Sequence, residues 1–319
     1  MISLVLGGLG FLGSFLVDEL IKDGEVDVVD NLTTNVLSPE ESPATRVFTE
    51  GLDTFIKREG LQKYDEVYHC ASVAGPVRVM QMAGQFELDI VLDSYIVLEA
   101  LKQTPKTRAI LVSTSEVYGR DGSFTEEMEL TIPMAKVSGR LGYAVAKSLT
   151  EIIAINMHRA NLGIRVNLVR PFNISGSRQS DIGGFVIPRF IKQAAINEPL
   201  TVYIPGTQIR SFTHAIDIAT GMILACRHNK FGQIYNLGEP KNTTTILELA
   251  NRIITLMGSK SEAKLFDPKE LHGPRFEEAF DKIPNPDKAK SELGWEAKYS
   301  LDDIIHEAIK WFKKTNSQR

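Results

Sequence analysis

A glycine-rich segment near the start of the chain constrains the fold more than any other feature of the sequence. Residues 2–6 form a short apolar run, and Gly7, Gly10 and Gly13 follow it before a segment with apolar residues at helical spacing. A strand that turns through glycines into a helix is the context of a dinucleotide-binding turn. Gly7 then permits the tight turn, Gly10 lets backbone approach a pyrophosphate, and Gly13 allows close packing of helix on sheet. The spacing, G-x-x-G-x-x-G, is one residue longer than the usual fingerprint.

Residues around this turn extend the predicted cofactor site. The N-terminus of the helix, at Phe11 and Leu12, offers backbone N–H groups and the positive end of a helix dipole to phosphate oxygens. Asp30 and Asn31 follow the second apolar run, where a carboxylate accepts hydrogen bonds from ribose hydroxyls and repels a 2′-phosphate. Asp30 therefore favours NAD over NADP. Asp53 is a further candidate for a contact on the adenine side, with a surface role as the alternative.

Short apolar runs alternate with helical patterns through the first half of the chain. The later runs are 26–29, 65–70, 109–113 and 164–169, and the clearest helical patterns are 86–103 and 143–161. This alternation predicts an α/β fold, a Rossmann-type doubly wound parallel sheet. We predict a cofactor domain over residues 1–170 and a smaller, mixed C-terminal lobe for the substrate over residues 171–319. Segments near 205–240 are expected to return to the main sheet.

Composition argues against several classes of partner. The 319 residues carry a net charge of −4 and no basic block, which argues against nucleic acid. No apolar stretch approaches the roughly 20 residues that span a bilayer, and the first residues do not resemble a signal peptide. Cys70 and Cys226 are expected to be reduced thiols in a cytoplasmic protein. The histidines lack the paired spacing of a metal site.

A tyrosine and a lysine carry the clearest chemical signal. Tyr143 and Lys147 are four residues apart in a helical pattern, so their side chains share one face. An ammonium beside a phenol stabilises the phenolate. Next to a dinucleotide, such a pair can take a hydroxyl proton while hydride leaves the same carbon.

Three polar residues directly follow the apolar run 109–113, where the carboxyl end of a parallel strand faces the ligand crevice. At Thr114 or Ser115 a hydroxyl can stabilise an alkoxide-like oxygen, and at Glu116 a carboxylate can move a proton at a neighbouring carbon. Strand-end capping is the alternative for the hydroxyls. Glu116 has the alternative of orienting a helix.

Together, the glycine turn, Asp30, Thr114 and the pair of Tyr143 and Lys147 resemble the nucleotide-sugar epimerase/dehydratase family of extended short-chain dehydrogenases/reductases. The resemblance covers nearly the whole chain. It implies NAD as cofactor and a nucleotide-diphosphate sugar as substrate, with UDP as the expected nucleotide and GDP as the alternative. It also implies that the sugar C4 hydroxyl is oxidised to a ketone.

The resemblance continues in the second half of the chain. The segment 170–173 is similar to the R-x-x-N segment of the family, in which the asparagine, here Asn173, meets the sugar nucleotide. Val202 and Arg210 lie in segments similar to the nucleotide-binding strand pair, in which the arginine clamps the diphosphate. Family members often pair two helices in a dimer, and the corresponding patterns here lead us to expect a homodimer.

Within the family, the segments 86–89, 113–119 and 140–143 are most similar to the UDP-glucuronate decarboxylases. Those enzymes oxidise C4 and lose carbon dioxide. One position departs from them, because this chain has Lys282 where they carry an arginine. Lysine lacks the bidentate fork of arginine, which argues against decarboxylation. Arg275 is the candidate substitute, with a surface role as the alternative.

Other net reactions stay open at this point. A 4-epimerase would return hydride to the other face of the ketone, a 4,6-dehydratase would use Glu116 to remove a proton, and a C4 dehydrogenase would release the ketone. Glu116 disfavours epimerisation, since many epimerases carry serine or threonine there. A non-enzymatic NAD-binding module is the alternative from another class, and it is disfavoured because Thr114, Tyr143 and Lys147 are all present.

Overall fold

The computed structural model describes residues 1–72, 84–119, 124–128, 139–181, 184–273 and 281–316. In chain order the strands are β1 Ile2–Leu6, β2 Glu25–Val29, β3 Arg46–Phe48, β4 Glu66–His69, β5 Arg108–Val112, β6 Arg165–Pro171, β7 Ile174–Ser175, β8 Leu200–Tyr203, β9 Ile209–Ser211, β10 Thr213–His214, β11 Ile234–Leu237, β12 Thr243–Thr245 and β13 Ala263–Phe266. The helices are α1 Phe11–Leu20, α2 Leu52–Glu59, α3 Gln85–Leu101, α4 Gly139–Arg159, α5 Val186–Ala195, α6 Ala215–Arg227, α7 Ile246–Met257, α8 Pro268–His272, α9 Asp287–Leu293 and α10 Leu301–Asn316.

The large sheet confirms the predicted fold class. Within the described ranges it has seven strands in the order β11-β6-β5-β4-β1-β2-β3, and every neighbouring pair is parallel. Chain order reverses between β1 and β4, which is the place where ligands bind in doubly wound sheets. The interior strands are almost continuously apolar because helices cover both faces.

Two layers of helices bury the two faces of this sheet. On one face, α1 and α6 pack with β1 around a fully buried cluster that includes Leu16, Ile218 and Met222. On the other face, the cluster combines residues of α2, α3 and α4, with Phe55 and Leu98 fully buried. The helices α3 and α4 pack against each other along their length.

A third apolar cluster forms the core of a smaller unit built from the later part of the chain. It joins α5, α7 and α10 to the parallel pair β8 and β13. The predicted return to the main sheet corresponds to α6 and β11, of which β11 pairs with β6. The assignment of residues 1–170 and 171–319 to separate domains stays a prediction.

Capping explains why α7 begins and ends where it does. The hydroxyl of Thr245 accepts the N–H of Glu248 at 3.1 Å, and the Glu248 carboxylate accepts the N–H of Thr245 at 3.0 Å. Gly258 ends the helix with a φ of 60°, which glycine adopts without strain. Across the described segments, no helix is both long enough and apolar enough to cross a bilayer.

Candidate active site

The glycine turn lies at the carboxyl edge of the sheet and leaves no room for a side chain at Gly7 or Gly13. Gly7 has a φ of +80°, and its N–H donates to the carbonyl of Val29 at 2.7 Å. A Cβ at Gly7 would lie 2.7 Å from the backbone nitrogen of Ala71, and one at Gly13 would lie 2.1 Å from the carbonyl oxygen of Gly7. These distances confirm why the turn needs glycine and why helix α1 can start directly on top of it.

The start of α1 is suited to bind an anion. Gly10 precedes the helix in an extended conformation and makes no side-chain cap, and the first turn contains no acidic residue. The first N–H groups of a helix, here those of Phe11 and Leu12, have no partner within the helix. They lie at the positive end of the helix dipole, so the turn fits the pyrophosphate of a dinucleotide.

Asp30 ties the end of β2 to the glycine turn. It is 7% exposed, and its two carboxylate oxygens accept the N–H groups of Leu9 at 3.0 Å and Leu32 at 2.9 Å. Each oxygen keeps a further lone pair for a ribose hydroxyl. Asn31 is exposed, and its side-chain oxygen accepts the N–H of Thr33 at 3.1 Å.

Asp53 lies near the start of α2, where it pairs with a lysine one turn later. The distance from Lys57 Nζ to Asp53 Oδ2 is 3.2 Å, and the Asp53 side chain is 45% exposed. The hydrogen bond from Lys57 lowers the pKa of the Asp53 carboxyl. Its predicted contact with adenine stays a prediction.

Tyr143 and Lys147 lie on one face of α4, as their spacing predicts. The ring of Tyr143 stacks on Phe86 of α3, with ring centroids 5.8 Å apart. Lys147 is 5% exposed, and its Nζ donates to the carbonyl of Val112 at the end of β5, at 2.8 Å. Burial lowers the pKa of Lys147 to about 8, so this ammonium is poised to gain or lose a proton near neutral pH.

Other titratable groups near Lys147 respond to the same burial. Burial, reinforced by the charge of Lys147, lowers the pKa of His69 to about 3, so the imidazole is neutral. Burial raises the pKa of the Cys70 thiol to about 12. Burial and the charges of two other aspartates raise the pKa of Asp93 to about 6. Perturbed groups in one crevice are typical of a functional site.

The residues after β5 form a short 3-10 helix, Ser115–Tyr118, which Thr114 caps. The Thr114 hydroxyl oxygen accepts the N–H of Glu116 at 3.2 Å, which leaves the hydroxyl proton available as a donor. Thr114 and Ser115 are buried, at 9% and 6% exposure. The predicted alternative of strand-end capping and the predicted role in catalysis are therefore compatible at Thr114.

Glu116 and Lys282 meet although they are far apart in the sequence. Lys282 Nζ lies 3.0 Å from Glu116 Oε1, and the Lys282 side chain is 4% exposed. The backbone of Lys282 also pairs, in parallel orientation, with the backbone of Arg210 in β9. A candidate catalytic carboxylate, the lysine that stands where the UDP-glucuronate decarboxylases carry an arginine, and the candidate diphosphate clamp thus belong to one cluster.

Arg210 and the remaining predicted substrate-binding residues differ in their exposure and in their partners. Arg210 is 7% exposed, and its Nη1 lies 3.4 Å from Asp281. Asn173 has a φ of 35°, and its amide donates to the carbonyl of Ser211 at 2.9 Å. Val202 has no exposed surface, backbone included, so a contact with a nucleotide would have to come from neighbouring residues of its segment. Arg275 lies outside the described residues.

The sequence reasoning missed a buried polar network next to the site. Its members are Ser113, Tyr118, Glu151, Arg170 and Asn236, each 5% exposed or less. One signal pointed to it, because Glu151 continues the four-residue spacing of Tyr143 and Lys147 along α4. Arg170, by contrast, stood out only as part of the R-x-x-N segment. Within the described ranges, no group of three or more His, Cys, Asp or Glu side chains is arranged to hold a metal ion.

Comparison with known proteins identifies the family. Residues 3–238 match the profile of the NAD dependent epimerase/dehydratase family. The chain belongs to this family. NAD is therefore the cofactor, as the glycine turn and Asp30 predict, and the protein is an enzyme of this family rather than a binding module.

Relatives and solved structures agree with this placement. UDP-glucuronic acid decarboxylase 1 of Danio rerio is 31% identical over 98% of this chain and 72% of its own length. A UDP-N-acetyl-alpha-D-glucosaminuronate decarboxylase of Bacillus cytotoxicus is 31% identical over 98% of this chain and 97% of its own length. The UDP-glucose 4-epimerase of Thermotoga maritima, at 24% identity, superposes with a TM-score of 0.86 over 99% of this chain and 100% of that one.

Proposed function

We propose that this protein is an NAD-dependent decarboxylase of UDP-linked uronic acids, which oxidises the sugar at C4 and then releases its C5 carboxylate as carbon dioxide. The observation that carries the proposal is the ion pair between Lys282 and Glu116, 3.0 Å apart at the carboxyl edge of the sheet. A cation that is 4% exposed supplies a counter-charge for an anionic sugar. Both relatives described above carry names of UDP-uronate decarboxylases.

The first half of the reaction belongs to α4 and the end of β5. When bound, NAD accepts the hydride that leaves the sugar C4 carbon. Tyr143, as phenolate, takes the proton of the C4 hydroxyl, and the Lys147 ammonium stabilises that phenolate. The Thr114 hydroxyl, whose oxygen already accepts the Glu116 N–H, donates to the same sugar oxygen.

The second half belongs to Glu116 and Lys282. Once C4 is a ketone, the bond between C5 and the carboxylate can break, because its electron pair moves into the ketone. Carbon dioxide leaves, and a proton must return to C5. Lys282 holds the carboxylate before it leaves. The ammonium of Lys282 then gives up a proton, which Glu116 passes to C5, so Lys282 ends the step as a neutral amine. Lysine can bind the carboxylate as a point charge, so the absence of an arginine at this position does not exclude decarboxylation.

The later part of the chain supplies the contacts for the nucleotide. Arg210 lies beside Lys282, and we assign it to the diphosphate of the substrate. Asn173, held by Ser211, and the backbone around Val202 are assigned to the sugar and the base. UDP is the expected nucleotide and GDP the alternative.

Product masses test the reaction directly. The protein is incubated with NAD and each of UDP-glucuronate, UDP-N-acetylglucosaminuronate, UDP-glucose and a GDP-sugar. We expect a uronate to lose about 44 mass units, or about 46 if the ketone is released with reduced cofactor. A loss of about 18 from a hexose would show a dehydratase, a loss of about 2 alone a dehydrogenase, and an unchanged mass with inverted C4 an epimerase.

A pair of lysine variants tests the role of the ion pair between Lys282 and Glu116. Lys282→Met should raise the KM for the uronate and lower the rate of carbon dioxide release, each by about 10-fold or more, because the buried counter-charge is lost. Lys264→Met, on an exposed lysine of β13, is the matched control and should change neither value. Equal rates in both variants would remove Lys282 from substrate recognition.

We also propose that the enzyme is a homodimer formed through α3 and α4. The outer faces of these helices expose large apolar side chains, namely Leu88, Leu92, Tyr95, Leu149 and Ile152, which are 43% to 56% exposed. Such a patch is typical of a protein–protein interface. Light scattering should give twice the monomer mass, and Ile152→Arg should give the monomer. Leu224→Arg, on the exposed side of α6, is the control that should leave the dimer intact.

A reducing, cytoplasmic location completes the proposal. Cys70 and Cys226, the chain's two cysteines, are both free thiols. Free thiols are typical of a reducing compartment. Fractionation of cells that express the tagged chain would test this location.

A further inference from the structure

A buried chain of hydrogen bonds begins on the helix that carries Lys147. One turn after Lys147, the carboxylate of Glu151 binds the guanidinium of Arg170 through two parallel bonds of 2.9 and 2.5 Å. The hydroxyl of Ser113, next to Thr114, donates to the same carboxylate at 2.5 Å. The helix of the first half-reaction is thereby tied to the ends of β5 and β6.

The chain continues into the short 3-10 helix that carries Glu116. Arg170 Nη1 donates to the hydroxyl oxygen of Tyr118 at 2.8 Å, and its guanidinium carbon lies 4.7 Å from the centre of the Tyr118 ring. Tyr118 donates in turn to the side-chain oxygen of Asn236 at 2.8 Å. Tyr118 follows Glu116 by two residues, so this hydroxyl holds the helix that aims the Glu116 carboxylate.

Asn236 extends this series of hydrogen bonds to the segment that carries Lys282. Its amide nitrogen donates to the carbonyl of Phe124 at 2.7 Å and to that of Asn285 at 3.3 Å. Asn285 follows Lys282 by three residues. Every polar atom of the Asn236 side chain therefore has a partner, and each partner lies on a different part of the chain.

We propose that Arg170, Tyr118 and Asn236 are positioning residues. They hold Glu116 and Lys282 in the correct position relative to Tyr143 and Lys147. The inference rests on the proposed function, because it assigns the two pairs to successive half-reactions. The first pair lies on α4, the members of the second pair lie on two other segments, and the same sugar must contact both pairs. A fully bonded buried network restricts relative movement of these elements. A shift of about 1 Å at a reacting centre costs about 100-fold in rate.

A purely structural role predicts something different. Loss of a stabilising network would lower the melting temperature and would affect both half-reactions alike. Loss of a positioning network would leave oxidation near its normal rate, because Tyr143 and Lys147 share one helix, and would slow decarboxylation. The ratio of the two rates is therefore the informative quantity.

The experiment uses Tyr118→Phe, which keeps the aromatic ring and its contact with Arg170 but removes the hydroxyl that joins Arg170 to Asn236. Single-turnover reactions with the uronate substrate follow reduced cofactor by absorbance and labelled carbon dioxide by release. We expect oxidation within about threefold of the native rate and carbon dioxide release slower by about 10-fold or more. Asn236→Ala, which removes the link to Asn285, should shift the ratio in the same direction.

Tyr64→Phe is the matched control, since Tyr64 is also buried and donates its hydroxyl proton to a carboxylate, Asp27, at 2.7 Å. It should leave the ratio unchanged. The inference is overturned if Tyr118→Phe keeps the native ratio, whether both steps slow or neither does. Failure of the native protein to release carbon dioxide from any uronate would instead overturn the proposed function, and this inference with it.

Discussion

The two edges of the large sheet both bury charged side chains, but only one edge gives each charge a full set of partners. At the amino edge, Asp27 has no exposed surface and accepts two bonds from Arg46, at 2.9 and 2.6 Å, and one from Tyr64 at 2.7 Å. Glu66, 1% exposed, is bound there in the same way by Arg227 at 2.8 Å.

At the carboxyl edge, Arg170 and Lys282 each pair with a carboxylate, but one buried charge has no such partner. Lys147 is 5% exposed, and its hydrogen-bond partner is the neutral carbonyl of Val112. Among the residues that the structure describes, no carboxylate lies within salt-bridge distance of it. The Nδ1 atom of buried His69 has no hydrogen-bond partner within the same residues.

The difference separates stability from function. A buried charge with a complete set of partners stabilises one arrangement of the chain, whereas a buried charge with few partners costs free energy of folding and keeps a perturbed pKa. Such a cost is retained where a ligand or a reacting group completes the set. The amino edge is thus a framework and the carboxyl edge a binding crevice.

The largest expected effect comes from one substitution made at each edge. Tyr143→Phe should lower kcat by about 100-fold to 10,000-fold, because the group that takes the hydroxyl proton is lost, with NAD affinity little changed. Tyr64→Phe should keep kcat and lower the free energy of unfolding by about 1 kcal/mol. Steady-state kinetics, NAD titration and urea unfolding give these values. Turnover retained in Tyr143→Phe would contradict the proposed role of the carboxyl edge.

Removal of one cation at each edge should destabilise the protein at the amino edge but not at the carboxyl edge. Arg227→Met should lower the free energy of unfolding by about 3 kcal/mol, because the carboxylate of Glu66 is left buried without its counter-charge. Lys147→Met should leave it unchanged or raise it by about 2 kcal/mol, since it removes a poorly compensated buried charge. Urea unfolding of both variants measures the contrast. Equal destabilisation would mean that Lys147 is as well compensated as Arg227.

The pH dependence sharpens the comparison at Lys147. Its pKa is about 8 in the folded protein and about 10.4 in an unfolded chain, so the unfolded state binds more protons between these values. The free energy of unfolding should therefore rise with pH across this window, while kcat falls above about pH 8 as the ammonium is lost. Both trends should be absent in Lys147→Met. A flat difference between the native and variant stability curves would contradict the depressed pKa.

The smallest expected effect concerns Asp53, which lies in the first turn of α2. Its ion pair with Lys57 is largely exposed, so Asp53→Asn should change the free energy of unfolding by less than about 0.5 kcal/mol. A contact with adenine predicts about a threefold loss of NAD affinity. Calorimetric titration of the variant with NAD measures it. An unchanged affinity would leave Asp53 with a surface role only.

Local sequence patterns were enough to predict the parallel sheet, the dinucleotide turn and the shared face of Tyr143 and Lys147. Each of these depends on backbone geometry within a few residues, namely the φ that Gly7 adopts, the alternation of short apolar runs and the period of a helix. Such constraints act wherever the segment lies in the fold. They are therefore readable from one chain.

Tertiary structure alone decided the contacts that join distant segments. Glu116 meets Lys282 across 166 residues, and Tyr118 meets Asn236 across 118. No local period encodes these distances, because they depend on how whole elements pack. The pKa of Lys147 has the same origin, since only the folded chain removes the ammonium from water.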